Sequence, residues 1–179
     1  MKVKWILQSL LVTLGIVLLL SVVTRAGGPV FEHSRPVSAA VFEPGKPVEL
    51  NDGNLVDGLS AIELPVPIAK VDLNGSVLSV DLKVTEERFD KGELYRGIAE
   101  LISFSFERTS NIDQLLLRLV AEDRWLGTRY LLLAADVRRG EWSDSAMNEL
   151  RNAGDHELPK ELRTLFRMTE THLWKRGVN

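Results

Sequence analysis

Cysteine is absent from this 179-residue chain. Its absence excludes disulfides, thiolate metal sites, a cysteine nucleophile and a lipidated cysteine. The fold therefore needs no oxidising compartment, though it is compatible with one. Histidine is nearly as scarce, with only His33, His156 and His172. They are scattered, without H-x-x-x-H or H-E-x-x-H spacing, so no zinc site is expected. A G-x-S-x-G elbow, a Walker loop and a Rossmann glycine fingerprint are also missing. No catalytic residue, metal ligand or cofactor is assigned on these grounds. Basic charge runs short too. Setting aside Lys2, Lys4 and Arg25 leaves 19 Lys and Arg against 25 Asp and Glu after Ala26, a balance of −6. Such a domain suits polyanions poorly, so nucleic acid is not expected as a partner. Anionic lipid surfaces should repel it weakly.

What is present begins with a long uncharged run, Trp5 to Val23. A bilayer core of about 30 Å needs about 20 helical residues. Gln8 and Ser9 are the only clearly polar side chains in the run. Trp5 marks one boundary, where an amphipathic indole prefers the headgroup level. Lys2 and Lys4 precede it, and a short tail with two lysines usually stays in the cytoplasm. Lys2, Lys4 and Trp5 are thus the expected interface anchors. A cleaved signal peptide competes with this reading, but its apolar region is usually shorter, about 7–15 residues. Thr24-Arg25-Ala26 is also a poor cleavage site. A buried soluble helix is the third alternative. Length favours an uncleaved transmembrane anchor over 5–23, after a cytoplasmic tail of 1–4. Gly15 stands alone, so no small-xxx-small motif pairs the span with another.

Pro29, Pro36, Pro44 and Pro47 punctuate residues 24–47, which read as a stalk. Residues 48–179 then form one domain. Apolar residues at 45% and charged residues at 26% fit a globular chain and not a disordered one. Asp52-Gly53 and Asp57-Gly58 resemble a calcium loop in spacing. They lack its alternating oxygen ligands and closing Glu, so turns are expected. Asn74-Gly75 is a strong hairpin signal. A two-residue turn there pairs Leu73 with Ser76, Val71 with Leu78 and Ala69 with Val80. Leu78, Val80, Leu82 and Val84 form one apolar row, with Ser79, Asp81 and Lys83 opposite, as in an antiparallel sheet wet on one face. Asn74-Gly75-Ser76 is also a glycosylation sequon, read here as turn chemistry.

Asp90 and Glu93 resemble a capping box opening a helix. Leu94, Ile98, Leu101 and Ile102 make its stripe, Phe104 and Phe106 extend it, and Gly97 allows close approach to the sheet. Glu86 and Glu87 precede its positive end. Residues 111–120 fit a strand, with Leu115, Leu117 and Leu119 inward, or a helix capped by Asn111. Strand is preferred because the following run, through Tyr130 and Asp136, also reads as strand. Two C-terminal helices are expected, one from Ser143 to Gly154 and one from Pro159 to Gly177. Asp136 is the carboxylate to inspect. Alternation puts it beside Tyr130, Leu132, Ala134 and Arg138, as a candidate buried ion pair with Arg138, since a lone buried carboxylate is costly.

The expected fold class is α+β: an N-terminal transmembrane helix, then a small antiparallel sheet packed on a helix, with two C-terminal helices. The order "VLSVDLKV", the helix through "LYRGIAELISFSF" and "NIDQLLLRLV" resembles the extracytoplasmic domain of GerM-type spore-formation and germination proteins, over residues 64–137. The resemblance implies a membrane-attached, non-enzymatic domain acting in assemblies of Gram-positive bacteria, and it assigns no catalytic residue. The last 40 or so residues go beyond its pattern. The leading expectation is a single-pass, bacterial cell-membrane protein with an extracytoplasmic domain that binds other envelope proteins. The alternatives are an envelope hydrolase using carboxylates and a small-ligand sensor.

Overall fold

The computed structural model describes residues 46–85, 89–123 and 126–176. Lys2, Lys4, Trp5, the run to Val23, most of the stalk, Glu86 and Glu87 lie outside the described residues. Among the described residues no helix is long and apolar enough to cross a membrane.

The fold is α+β. A short helix α1 (Leu55–Ser60) leads to β1 (Ile68–Asn74) and β2 (Val77–Val84). Helix α2 (Lys91–Ser103) widens into a π-helical turn (Phe104–Arg108) and is followed by β3 (Gln114–Glu122) and β4 (Arg129–Arg138). Helices α3 (Asp144–Arg151) and α4 (Lys160–Leu165), strand β5 (Thr169–Glu170) and α5 (His172–Arg176) complete it. The five strands lie in the order β1-β2-β3-β4-β5.

The expectation of an antiparallel sheet is corrected: the sheet is mixed. β2 and β3 run parallel, with Leu78 beside Leu115 and Leu82 beside Leu119. A strand that returns after a crossover helix re-enters the sheet in the same direction, and α2 is that crossover. The hairpin register also differs. Asn74 pairs with Val77, Leu73 with Leu78 and Val71 with Val80, so Gly75-Ser76 is the turn. Only Gly75 of that pair takes a positive φ, 59°, which fits a turn with glycine in its first central position. The shift from the expected register is two residues, so every side chain keeps its face.

One face of the sheet holds the core. Leu78, Val80, Leu82 and Val84 of β2, Leu115, Leu117 and Leu119 of β3, and Leu133, Ala135 and Val137 of β4 are buried there. Leu94, Ile98, Leu101 and Ile102 of α2 close over them. Each such buried leucine, isoleucine or valine stabilises the fold by roughly 1.5–3 kcal/mol. Asp90 caps α2 as its spacing predicts, accepting the Glu93 amide at 3.0 Å. Gly97 does allow a close approach, but to the loop before β1 and not to the sheet. A Cβ there would lie 2.7 Å from Pro65 Cδ.

Arg139 closes the far end of the π-helical turn. Its guanidinium donates to the carbonyls of Phe106 at 2.6 Å, Ile112 at 2.8 Å and Thr109 at 3.0 Å. Carbonyls at a helix exit otherwise lack donors. Asn111 does not cap a helix. Its side-chain amide accepts from Leu50 N and donates to Leu50 O, both at 2.8 Å, and so ties the domain's entry to its middle.

Ser143 caps α3 through the Ala146 amide, and Gly154 beyond it takes φ 60°. The single helix expected from Pro159 to Gly177 is broken in two. Arg167 adopts φ 45° just past α4. Met168 N bonds Arg163 O at 2.7 Å and Arg167 N bonds Thr164 O at 3.1 Å, the two bonds of a Schellman motif. Such a position usually holds glycine, which is why the stop is hidden in the sequence. β5 then pairs with β4, and Thr171 N bonds Leu132 O at 2.9 Å.

The C-terminal elements are clasped by a buried polar chain. Trp174 Nε1 donates to the Tyr95 hydroxyl at 3.2 Å, and that hydroxyl donates to Glu170 Oε1 at 3.4 Å. The Glu170 side chain is 1% exposed and meets Arg163 at 3.3 Å. Phe89 stacks on Trp174 at 5.3 Å. Burial pushes the Tyr95 phenol well above its ordinary value, Trp174 opposes this, and the Glu170 charge adds to it.

Candidate functional site

The described helices pack on the core face, and among the described residues the other face of the sheet stays open. Alternation along three central strands assigns its side chains. Ser79, Asp81 and Lys83 come from β2, and Gln114, Leu116, Arg118 and Val120 from β3. Leu131, Ala134, Asp136 and Arg138 come from β4. The parallel register of β2 on β3 sets Asp81 beside Arg118. Their contact is bidentate, at 2.7 Å and 2.6 Å. The planar guanidinium fits a carboxylate in this manner better than an ammonium would. Hydrogen bonding to Asp81 raises the Arg118 pKa.

The bridge divides the open face into two depressions. One, of about 400 Å³, is lined by Ser79, Asp81, Leu116, Arg118, Ala134 and Asp136, with Arg167 and Thr169 at its border. The other, of about 270 Å³, lies among Ala69, Lys83, Val120, Arg129 and Leu131. Glu122 holds the second site's border together, meeting Arg129 at 3.0 Å and Lys83 at 3.5 Å. The Arg129 hydrogen bond lowers the Glu122 pKa, and Lys83 lowers it further. Leu116 and Leu131 stand 37% and 39% exposed between these charges.

Asp136 and Arg138 do lie on one face, but it is the open face. Their side chains are 33% and 52% exposed, and they sit 4.0 Å apart, so this is a surface pair and not a buried one. The closer partner of Asp136 is Gln114, whose amide donates at 2.7 Å. Alternation misplaced the neighbours because β4 carries a bulge: Leu119 pairs with Leu133 and Val120 with Leu131. Leu132 is the extra residue and is buried, and Tyr130 turns to the helix side opposite Ala121. A bulge of this kind inverts the alternation beyond it.

Two acids thus border the larger depression, but Arg118 already occupies both oxygens of Asp81. A carboxylate held in this fork-to-fork manner has its lone pairs directed at the guanidinium. His156 and His172 are exposed. Among the described residues no three His, Asp or Glu side chains converge as a metal would require. Sequence reasoning overlooked Arg118 and Arg167. Arg118 needed the parallel register to find Asp81, and Arg167 was expected inside a continuous helix. It instead reaches Glu141 at 2.6 Å beside the larger depression.

No protein-family model, curated protein or solved structure matches this chain.

Proposed function

We propose that this chain is a single-pass, membrane-anchored extracytoplasmic domain that binds another envelope protein on the open face of its sheet. The observation that carries the reading is the pair of exposed aliphatic side chains, Leu116 and Leu131, set among paired charges on one face. Apolar side chains ringed by polar ones are characteristic of protein-binding surfaces. The uncharged run Trp5–Val23 and the lysines before it support the anchor and the outward domain. The partner we infer offers aliphatic groups to the two depressions and a cation to the half-exposed Asp136. Accessory work in a bacterial envelope or sporulation-related assembly is our reading of the order hairpin, helix, strand, strand. The test is photo-cross-linking of the full chain in native membranes. A photoreactive residue at Leu116 or Leu131 should capture one protein, and the same residue at the exposed Asn148 of α3 should not. Equal capture at all three positions, or none at Leu116 and Leu131, would sink the proposal. Protease added to spheroplasts should also digest the domain.

A further inference from the structure

Among the described residues β1 is an edge strand, paired only with β2. Its hairpin closes at Asn74–Val77, so hydrogen-bonded pairs recur at Asn74, Asp72 and Lys70. The backbone groups of Val71 and Leu73 therefore point outward. No described hydrogen bond takes up those outward groups. Pro65, Pro67 and a bulge between Ile68 and Lys70 shorten the usable edge to residues 70–74. Lys70 and Asp72 are exposed and share the open face, and neither belongs to a described ion pair.

We propose that β1 pairs antiparallel with β1 of a second copy, about a two-fold axis through Val71. Outward groups must meet outward groups, which leaves registers centred on Lys70, Val71, Asp72 and Leu73, the last of which opposes Asp72 to Asn74. Centring on Lys70 opposes two lysines, and centring on Asp72 opposes two aspartates. Only centring on Val71 opposes unlike charges, and it does so twice. Lys70 then meets Asp72 of the second copy, and Asp72 meets its Lys70. The two Val71 residues exchange both main-chain hydrogen bonds, and their side chains meet on the core face, where each is half-buried in a single copy. A lone edge lysine discourages strand addition. Here the aspartate two residues on turns that protection into a choice of register. The result is a continuous ten-stranded sheet with both open faces on one side. This inference is independent of the anchor and of the partner proposed above.

The full chain in detergent, followed by sedimentation over a range of concentrations, should show a monomer–dimer equilibrium. Lys70→Asp and Asp72→Lys each place like charges together twice, and each should weaken the dimer about tenfold. The swap Lys70→Asp/Asp72→Lys restores both pairs and should return the dimer to its original strength. The absence of cysteine provides a second readout. Opposed residues of a non-hydrogen-bonded pair lie about 4.5 Å apart at Cα, within disulfide reach, and diagonal ones about 7–8 Å apart, beyond it. Mixed Lys70→Cys and Asp72→Cys chains should therefore cross-link on oxidation, and either chain alone should not. A monomer at every concentration, or a dimer insensitive to both single reversals, or a swap that fails to rescue, would overturn the proposal. So would equal cross-linking by the single-cysteine chains.

Discussion

The two faces of the sheet are built from the same strands and obey different physics. On the core face, Leu115, Leu117 and Leu119 alternate with Leu116 and Arg118, which face outward. The inward set is held by packing, which penalises any lost volume. The outward set is held by charges that water screens and partly replaces. Stability therefore resides on one side of β3, and tolerance of substitution resides on the other.

Adjacent leucines give the strongest contrast. Leu117 is 1% exposed, and Leu117→Ala should destabilise the domain by about 2–5 kcal/mol. Leu116→Ala should stay within about 0.5 kcal/mol. Thermal or urea unfolding of the two variants would erase the distinction if their losses were similar. Gly97→Ala should come next, at about 1–3 kcal/mol, because the new methyl meets a rigid proline ring and not a flexible chain end. An unchanged melting temperature would mean that the Pro65 loop yields freely.

Tyr95→Phe strips the acceptor from Trp174 Nε1 and should cost about 1 kcal/mol near neutral pH. It also carries a pH signature. Burial raises the folded-state pKa of the phenol above its ordinary value, so the protein favours the neutral form. That contribution is complete below the unfolded value, about 10, and is lost as the pH rises through and beyond it. Stability measured from pH 8 to 11 should fall less steeply for Tyr95→Phe than for the parent. Parallel slopes would remove Tyr95 from the alkaline response. The smallest effect belongs to the open face. Arg118→Ala and Asp81→Ala should each cost about 0–1 kcal/mol despite the bidentate geometry, since the arginine is largely solvated. A double-mutant cycle giving more than about 2 kcal/mol would make this bridge a structural element instead of a surface one.

The legibility of the molecule divides along the same line. The inward rows of β2 and β3, the Asp90 and Ser143 caps and the strand at Gln114–Glu122 could all be read, because each depends on periodicity or on neighbours a few residues away. The direction of β3 beside β2 could not, since it depends on where α2 returns the chain. The Asp81–Arg118 bridge went unseen for that reason. The bulge at Leu132 has no local mark, and it moved Tyr130 away from the face of Asp136. The stop at Arg167 was masked because an arginine occupies a backbone position that glycine normally announces. Helix α1 was read as turns because Asp57-Gly58 carries a turn composition, yet tertiary contact buries Leu55 and Leu59.

The late position of β5 has a consequence for synthesis on the ribosome. Thr169 and Glu170 cover the outer edge of β4, but they emerge only after α3 and α4 have been made. Until then β4, like β1, has no described strand on its outer side. A chaperone that shields exposed edges would find a second site on the growing chain that the finished domain conceals.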